Sequence, residues 1–77
     1  MSWTREGNRW THPVLPYVIE RRTRHVVWED GGMTITEYVV RNFRDGELGD
    51  EDLAILSELS GAMHWAEDRW RMLNGRR

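Results

Sequence analysis

The chain has 77 residues, of which 39% are hydrophobic and 31% are charged, and it contains no Cys. A single domain spanning residues 1–77 is expected, because two domains need nearly twice this length. Without Cys, the chain has no disulfide framework, no thiolate nucleophile and no Cys-ligated metal. No apolar run approaches the roughly 20 residues of a membrane span, and the start lacks a signal-peptide pattern. We therefore expect a cytoplasmic protein without a membrane partner.

The charged residues are distributed unevenly along the chain, whose net charge is −2. Residues 1–28 carry five Arg and two acids, residues 29–58 carry nine acids and two Arg, and residues 59–77 carry four Arg and two acids. These blocks are expected to neutralise one another across the folded surface. An acidic surface for a basic partner, or a basic edge for phosphate, stays open. All eleven basic residues are Arg, whose codons are G/C-rich, so we infer a high-GC bacterium or its phage as the source.

Residues 1–12 predict a hairpin. Gly7 and Asn8 separate two short alternating runs, which is typical of a two-residue turn. The turn would place Trp3 beside His12 and pair three further positions: Glu6 with Arg9, Arg5 with Trp10, and Thr4 with Thr11. Arg5 would then lie over the Trp10 ring. A flexible arm that orders only on a partner is the alternative.

Residues 14–36 predict a small antiparallel sheet. Residues 14–20 and 24–29 are rich in β-branched and aromatic side chains, which favours two strands. A polar turn at Arg22 and Thr23 would join them and pair Glu20 with His25. After a further turn at residues 30–32, the alternation in residues 33–36 predicts a short third strand.

Residues 36–74 predict two helices. Ile35, Val39 and Phe43 recur at four-residue steps, which favours a first helix that stops at residues 45–46. A long second helix would begin at the acidic residues 50–52 and end at residues 74–75. Its apolar stripe consists of Ile55, Leu56, Leu59, Ala62, Met63, Ala66, Trp70 and Leu73. The predicted fold is α+β, with one or two β-hairpins and a short third strand packed against a C-terminal helical hairpin.

No residue pattern supports catalysis. The three His residues lie in separate elements, and the chain has no phosphate-binding glycine loop, nucleophile elbow or zinc-protease motif. The acids at residues 45–52 lack the ligand order of a calcium loop. We therefore predict no catalytic residue, no metal site and no cofactor, and we do not expect an enzyme.

The aromatic and acidic residues point instead to binding another protein. Trp, Met and Arg are enriched in interface cores. Trp65 lies beside the predicted apolar stripe, and Trp3 and Trp10 share one face of the predicted N-terminal hairpin. The predicted partner-binding residues are Trp3, Arg5, Trp10, Trp65, Arg69, Met72, Asp50, Glu51 and Asp52. Packing of these Trp residues within the fold is the alternative.

We therefore expect a non-enzymatic protein-binding module, such as a regulator, an inhibitor or an assembly factor. Homodimerisation through its last helix stays open. One alternative is a DNA-binding regulator of the ribbon-helix-helix or helix-turn-helix kind, because a short strand precedes two predicted helices. The strand at residues 33–36 lacks basic or amide side chains for the major groove, and three acids open the last helix, so nucleic acid is the weaker partner. A minor structural subunit of a larger assembly is the other alternative.

Overall fold

The computed structural model describes residues 2–75 and contains six strands and one helix in this range. In chain order they are β1 (Thr4–Glu6), β2 (Arg9–Thr11), β3 (Tyr17–Trp28), β4 (Gly31–Arg44), β5 (Glu47–Leu48), β6 (Ala54–Leu56) and α1 (Leu59–Asn74). The strands form one antiparallel sheet in the order β1, β2, β3, β4, and both β5 and β6 pair with different parts of β4. The predicted α+β class is therefore correct.

The N-terminal hairpin forms with the predicted register. Thr4 pairs with Thr11, Arg5 with Trp10 and Glu6 with Arg9. The Arg5 guanidinium carbon lies 5.3 Å from the Trp10 ring centroid. The hairpin is a sheet component because β2 continues the pairing onto β3.

The predicted turn at Arg22 and Thr23 is wrong. Both residues lie inside β3, and the chain reverses instead at Glu29 and Asp30, between the paired residues Trp28 and Gly31. Gly31 has a φ of 131°, a backbone conformation that residues with a side chain rarely adopt. A Cβ atom at Gly32 would overlap the Val26 carbonyl oxygen. The two glycines are therefore the local reason for the position of the turn.

The predicted helix at residues 37–43 is also wrong, because this segment belongs to β4. Residues four apart share one face of a helix, but they share one face of a strand as well, so the spacing of Ile35, Val39 and Phe43 does not distinguish the two. Val39 and Val40 are both buried, on opposite faces of the sheet, which hides the alternation expected of a strand. The predicted helix stop at Asp45 is a tight turn into β5, with φ values of 56° and 77° at residues 45 and 46.

The helical hairpin is replaced by a single helix in the described range. Residues 50–58 contain β6 instead of the first turns of a helix, and α1 begins at Leu59. Within α1, Ala62 and Ala66 are buried, whereas Leu73 is more than half exposed. Ile55, the first residue of the predicted stripe, pairs with Val39 in the sheet. No helix among the described residues is long and apolar enough to cross a membrane.

The core lies between α1 and one face of the sheet. Small Ala side chains let the helix approach the strands closely, and aromatic rings from the N-terminal hairpin close the end of this layer. Its buried members are Trp3, Trp10, Leu15, Tyr17, Ile19, Val40, Ala62 and Ala66. No helix in residues 2–75 covers the opposite face of the sheet, where charged side chains stand beside Val18 and Val39.

Candidate functional site: the β3–β4 arm

The long β3–β4 hairpin extends well beyond the rest of the sheet. β2 pairs with β3 only up to Glu20, and β6 pairs with β4 only from Tyr38 onwards. Residues 21–38, which we call the arm, therefore form a two-stranded ribbon. At about 3.3 Å per residue, eight paired residues give a length of about 26 Å. This length accounts for the elongated shape, 53 Å along one axis and 25 Å along the other two.

The end of the arm is apolar and exposed. Val27 is 72% exposed, Met33 51% and Trp28 50%, while Val26 is partly buried. Val26 and Met33 are cross-strand partners and share one face, whereas Val27 lies on the other face. We call Val26, Val27, Trp28 and Met33 the apolar tip. No other segment within residues 2–75 packs against it as α1 packs on the body.

A continuous series of ion pairs lies where the arm joins the body. In order, it links Arg9, Glu20, Arg41, Asp52, Arg22, Glu37 and Arg24, and we call it the ion ladder. Its shortest contacts are 2.8 Å between Arg9 Nη2 and Glu20 Oε2, and 2.9 Å between Arg41 Nε and Asp52 Oδ1. The ladder brings Arg residues of the basic N-terminal block onto acids of the middle block. The predicted neutralisation between these blocks is therefore confirmed here.

The ion ladder also explains the second buried layer. Val18 and Val39 are essentially inaccessible, yet they face away from α1. Val18 pairs with Arg41, and Val39 pairs with Glu20, so ladder side chains stand beside them on the same face. Their aliphatic stems can shield the two valines while the charged groups stay in water. Each exposed ion pair contributes about 0–1 kcal/mol, and shielding of the two valines adds to that contribution.

Trp3 and Trp10, two predicted partner-binding residues, belong to the core. Trp3 donates a hydrogen bond from Nε1 to Glu67 Oε2 at 2.9 Å and packs edge-on against His12 at 5.0 Å between ring centroids. Trp10 packs edge-on against Tyr38. Arg5 stays exposed and covers the outer side of Trp10. These two indoles are therefore used in folding and offer little surface to a partner.

Trp65 and Arg69 stack on each other, with the guanidinium carbon 5.4 Å from the ring centroid. Trp65 is partly buried and also packs edge-on against Tyr17. Met72 is 69% exposed, further along α1. The predicted helix surface thus consists of one shielded indole and one isolated exposed side chain.

Of the three predicted acids, Asp52 is a member of the ion ladder, bonded to Arg41 and 3.5 Å from Arg22. Asp50 and Glu51 are exposed in the loop before β6. The structure therefore distributes the predicted partner-binding residues over three separate places. It does not bring them together into one surface.

An open groove of about 660 Å³ lies at the end of the body away from the arm, where Leu15, Phe43 and Trp70 contribute apolar walls. Its ionisable residues are His12, Arg44 and Asp45, and His12 Nδ1 accepts hydrogen bonds from the backbone N–H groups of Val14 and Leu15. Both hydrogen bonds hold the backbone of the turn after His12, so Nδ1 already has partners within the chain. Within residues 2–75, no group of three or more His, Cys, Asp or Glu side chains is placed to hold a metal ion.

The sequence interpretation missed the arm residues Val27, Trp28 and Met33 as surface candidates. Their signal was present: an apolar run of three residues leads directly into Glu29, Asp30 and two glycines, and a β-rich segment follows. A turn placed at residues 22–23 shortened both strands and left these side chains inside a compact sheet. The register, and not the residue types, was the missing information.

Comparisons with protein-family models, with curated proteins and with solved structures give no match to this chain.

Proposed function

We propose that this chain is a non-enzymatic protein-binding module and that the β3–β4 arm is its binding element. The observation that carries the proposal is the apolar tip, with Trp28 half exposed at the end of a ribbon that has no covering layer in the described residues. Trp and Met are among the residues enriched in the cores of protein interfaces. A regulator, an inhibitor or an assembly factor of this size can act through such contacts alone.

The energetics of the arm support the proposal. A two-stranded ribbon is marginally stable in water, and three or more strands, or a covering helix, are normally needed. The ion ladder fixes the arm at its base, but only Val26 and Ile35 are partly buried between Arg22 and Thr36. A partner that covers the arm would bury apolar area and stabilise the ribbon at the same time.

We favour a protein partner over the DNA-binding alternative for two reasons. Both the ribbon-helix-helix and the helix-turn-helix interpretations need two consecutive helices, and residues 2–75 contain one helix. The arm ends in Glu29 and Asp30, which repel phosphate. We therefore favour a protein partner over nucleic acid. The role of a structural subunit remains compatible with the proposal, because an assembly subunit also binds protein.

Site-specific photo-crosslinking in the native cells tests the proposal. A benzoylphenylalanine at position 27 reports on the arm, and the same residue at position 72 reports on α1. Val27 and Met72 are matched in exposure, at 72% and 69% respectively, so chance collisions should label them equally.

Covalent adducts from position 27 with none from position 72 are the expected result. Adducts from position 72 alone would move the binding surface to α1 and overturn the proposal. Absence of adducts from position 27 would overturn it as well.

A further inference from the structure

Between Arg22 and Glu37, each strand of the arm has one outer edge whose backbone groups have no strand partner within residues 2–75. The Arg21 N–H donates to the Asn8 carbonyl on the β2 side, and the Leu53 N–H donates to the Val40 carbonyl on the β6 side. These backbone groups point away from the neighbouring strand of the hairpin. The β3–β4 pairing runs from Tyr17 to Trp28 without a bulge, so the backbone N–H and C=O groups of every second residue point outward in the same way. On β3 the outward groups are those of Thr23, His25 and Val27, and on β4 they are those of Gly32, Thr34 and Thr36.

The β3 edge is self-complementary in charge. It begins with Arg22 and Arg24, next to the body, and it ends with the acidic turn at Glu29 and Asp30. If two copies of this edge run antiparallel about Val26, the Arg22–Arg24 end of each copy lies beside the acidic turn of the other. Arg24 lies opposite the second copy's Trp28, a cation–π geometry. The β4 edge carries only acidic charges, at its two ends, and offers no such match.

The same register fits the length of the free edge. β2 and the Asn8 carbonyl occupy β3 up to Arg21, so position 22 is the first free position. Pairing centred on Val26 joins positions 24–28 of the two copies, and it therefore lies within the free segment and does not displace β2. The outward groups of His25 and of the second copy's Val27 then face each other, which gives an unbroken hydrogen-bonded ladder.

The apolar side chains of the tip also become continuous. Val26 and Met33 are cross-strand partners on one face. At the two-fold axis Val26 meets its own copy, so four apolar side chains form one row across four strands. A ribbon of two strands thereby becomes a four-stranded sheet, the size at which sheets are stable.

We propose that the partner of the arm is a second copy of this chain, joined by antiparallel β3–β3 pairing centred on Val26. This inference rests on the proposed function, since it names the occupant of the same arm. The resulting dimer is isologous, so each copy contributes the same edge and no open edge of β3 remains for further copies.

Sedimentation equilibrium of the full chain over a concentration series tests the pairing, with two proline variants as a matched pair. We expect a mass of twice 9.2 kDa for the unmodified chain at high concentration. His25 and Thr34 are cross-strand partners, and each directs its N–H to an outer edge. Proline removes that donor without removing a backbone hydrogen bond of the hairpin, and both variants equally lose the 3.4 Å contact between His25 Nδ1 and Thr34 Oγ1.

His25→Pro should be monomeric, whereas Thr34→Pro should still dimerise. A monomeric unmodified chain, a dimeric His25→Pro variant, or loss of the dimer in Thr34→Pro alone would each overturn the inference. The last result would assign the pairing to the β4 edge.

Charge variants at the two-fold axis decide the result if both proline variants are monomeric. Val26→Lys and Val26→Glu should each be monomeric, because like charges would face each other, and an equal mixture should form a heterodimer. Met33→Lys, on the same face but one strand away from the axis, is the control and should retain the dimer. No heterodimer in the mixture would overturn the pairing.

The crosslinking at position 27 separates this inference from the proposed function. An adduct of twice the chain mass supports both. An adduct with a different protein, together with a monomeric chain, overturns only the self-pairing. Absence of any adduct from the arm overturns both.

Discussion

Removing the outer arm should leave the body folded. The variant lacks residues 25–34 and carries Asn-Gly in their place, so that Arg24 and Ile35, which are already paired, flank a two-residue turn. Every buried apolar residue of the described range lies at position 19 or earlier, or at position 39 or later. The ion ladder is also retained in full. The deletion therefore removes exposed surface and only one partly buried side chain, Val26.

The expected change in unfolding free energy is small. A chain of this length has a stability of about 4–12 kcal/mol, and loss of the Val26–Met33 contact should cost less than about 1 kcal/mol. This corresponds to a change in Tm of less than about 8 °C. Thermal unfolding followed by circular dichroism and by Trp fluorescence measures it. A truncated chain that is unfolded, or that melts more than about 10 °C lower, would refute the division into a body and an independent arm.

Ile19→Ala in the full chain is the matched control for this experiment. Ile19 is completely buried and pairs with Trp10 and Val40. Its truncation should cost about 2–5 kcal/mol, which is a large part of the total stability. A loss in this variant smaller than that of the arm deletion would contradict the assignment of the core.

Three further substitutions test particular contacts. Trp3→Phe removes the 2.9 Å hydrogen bond to Glu67 and should lower the free energy of unfolding by about 1–2 kcal/mol in urea titrations, whereas Ser2→Ala, at the exposed neighbour, should change it by less than about 0.5 kcal/mol. Trp65→Ala should cost about 2–3 kcal/mol, because the indole is partly buried against Tyr17, and a variant as stable as the parent would place Trp65 on a free surface. Gly31→Ala forces a side chain into a φ of 131° and should speed amide exchange throughout residues 26–33, whereas Gly61→Ala, in the helix, should not.

The sequence predicts local pairing well where the turn chemistry is explicit. Gly7 and Asn8 define the first turn, and the three cross-strand pairs follow from it because the strand period is two. The prediction that Arg5 covers Trp10 is confirmed for the same reason. The acidic loop and the apolar residues after it also place the last helix approximately, although its first residue is Leu59 and not a residue near Asp50.

The long hairpin could not be predicted by the same reasoning. Arg22 and Thr23 form a polar interruption in an apolar sequence, which is typical of a turn in a compact sheet. In the structure these residues lie where β3 leaves the body, and polar side chains suit this exposed position. Arg22 contacts Glu37 and Asp52 there. Only the partners across the sheet identify that role, and they are remote in sequence.

The candidate site depends on this register more than on residue type. Trp3 and Trp10 are of a residue type that is enriched in protein interfaces. In this small domain they fill the core instead, where buried aromatic area is needed for stability. Trp28 and Met33 have the same composition and remain exposed because the arm carries them away from that core. Aromatic content alone therefore could not separate the two groups.

Amide hydrogen exchange of the full chain, measured residue by residue at low and high protein concentration, tests most directly whether the β3 edge is the binding surface. Antiparallel β3–β3 pairing predicts that exchange at Thr23, His25 and Val27 slows as concentration rises, while exchange at Gly32, Thr34 and Thr36 stays unchanged. Equal exchange at both concentrations on the β3 edge, or slowing confined to the β4 edge, would contradict it.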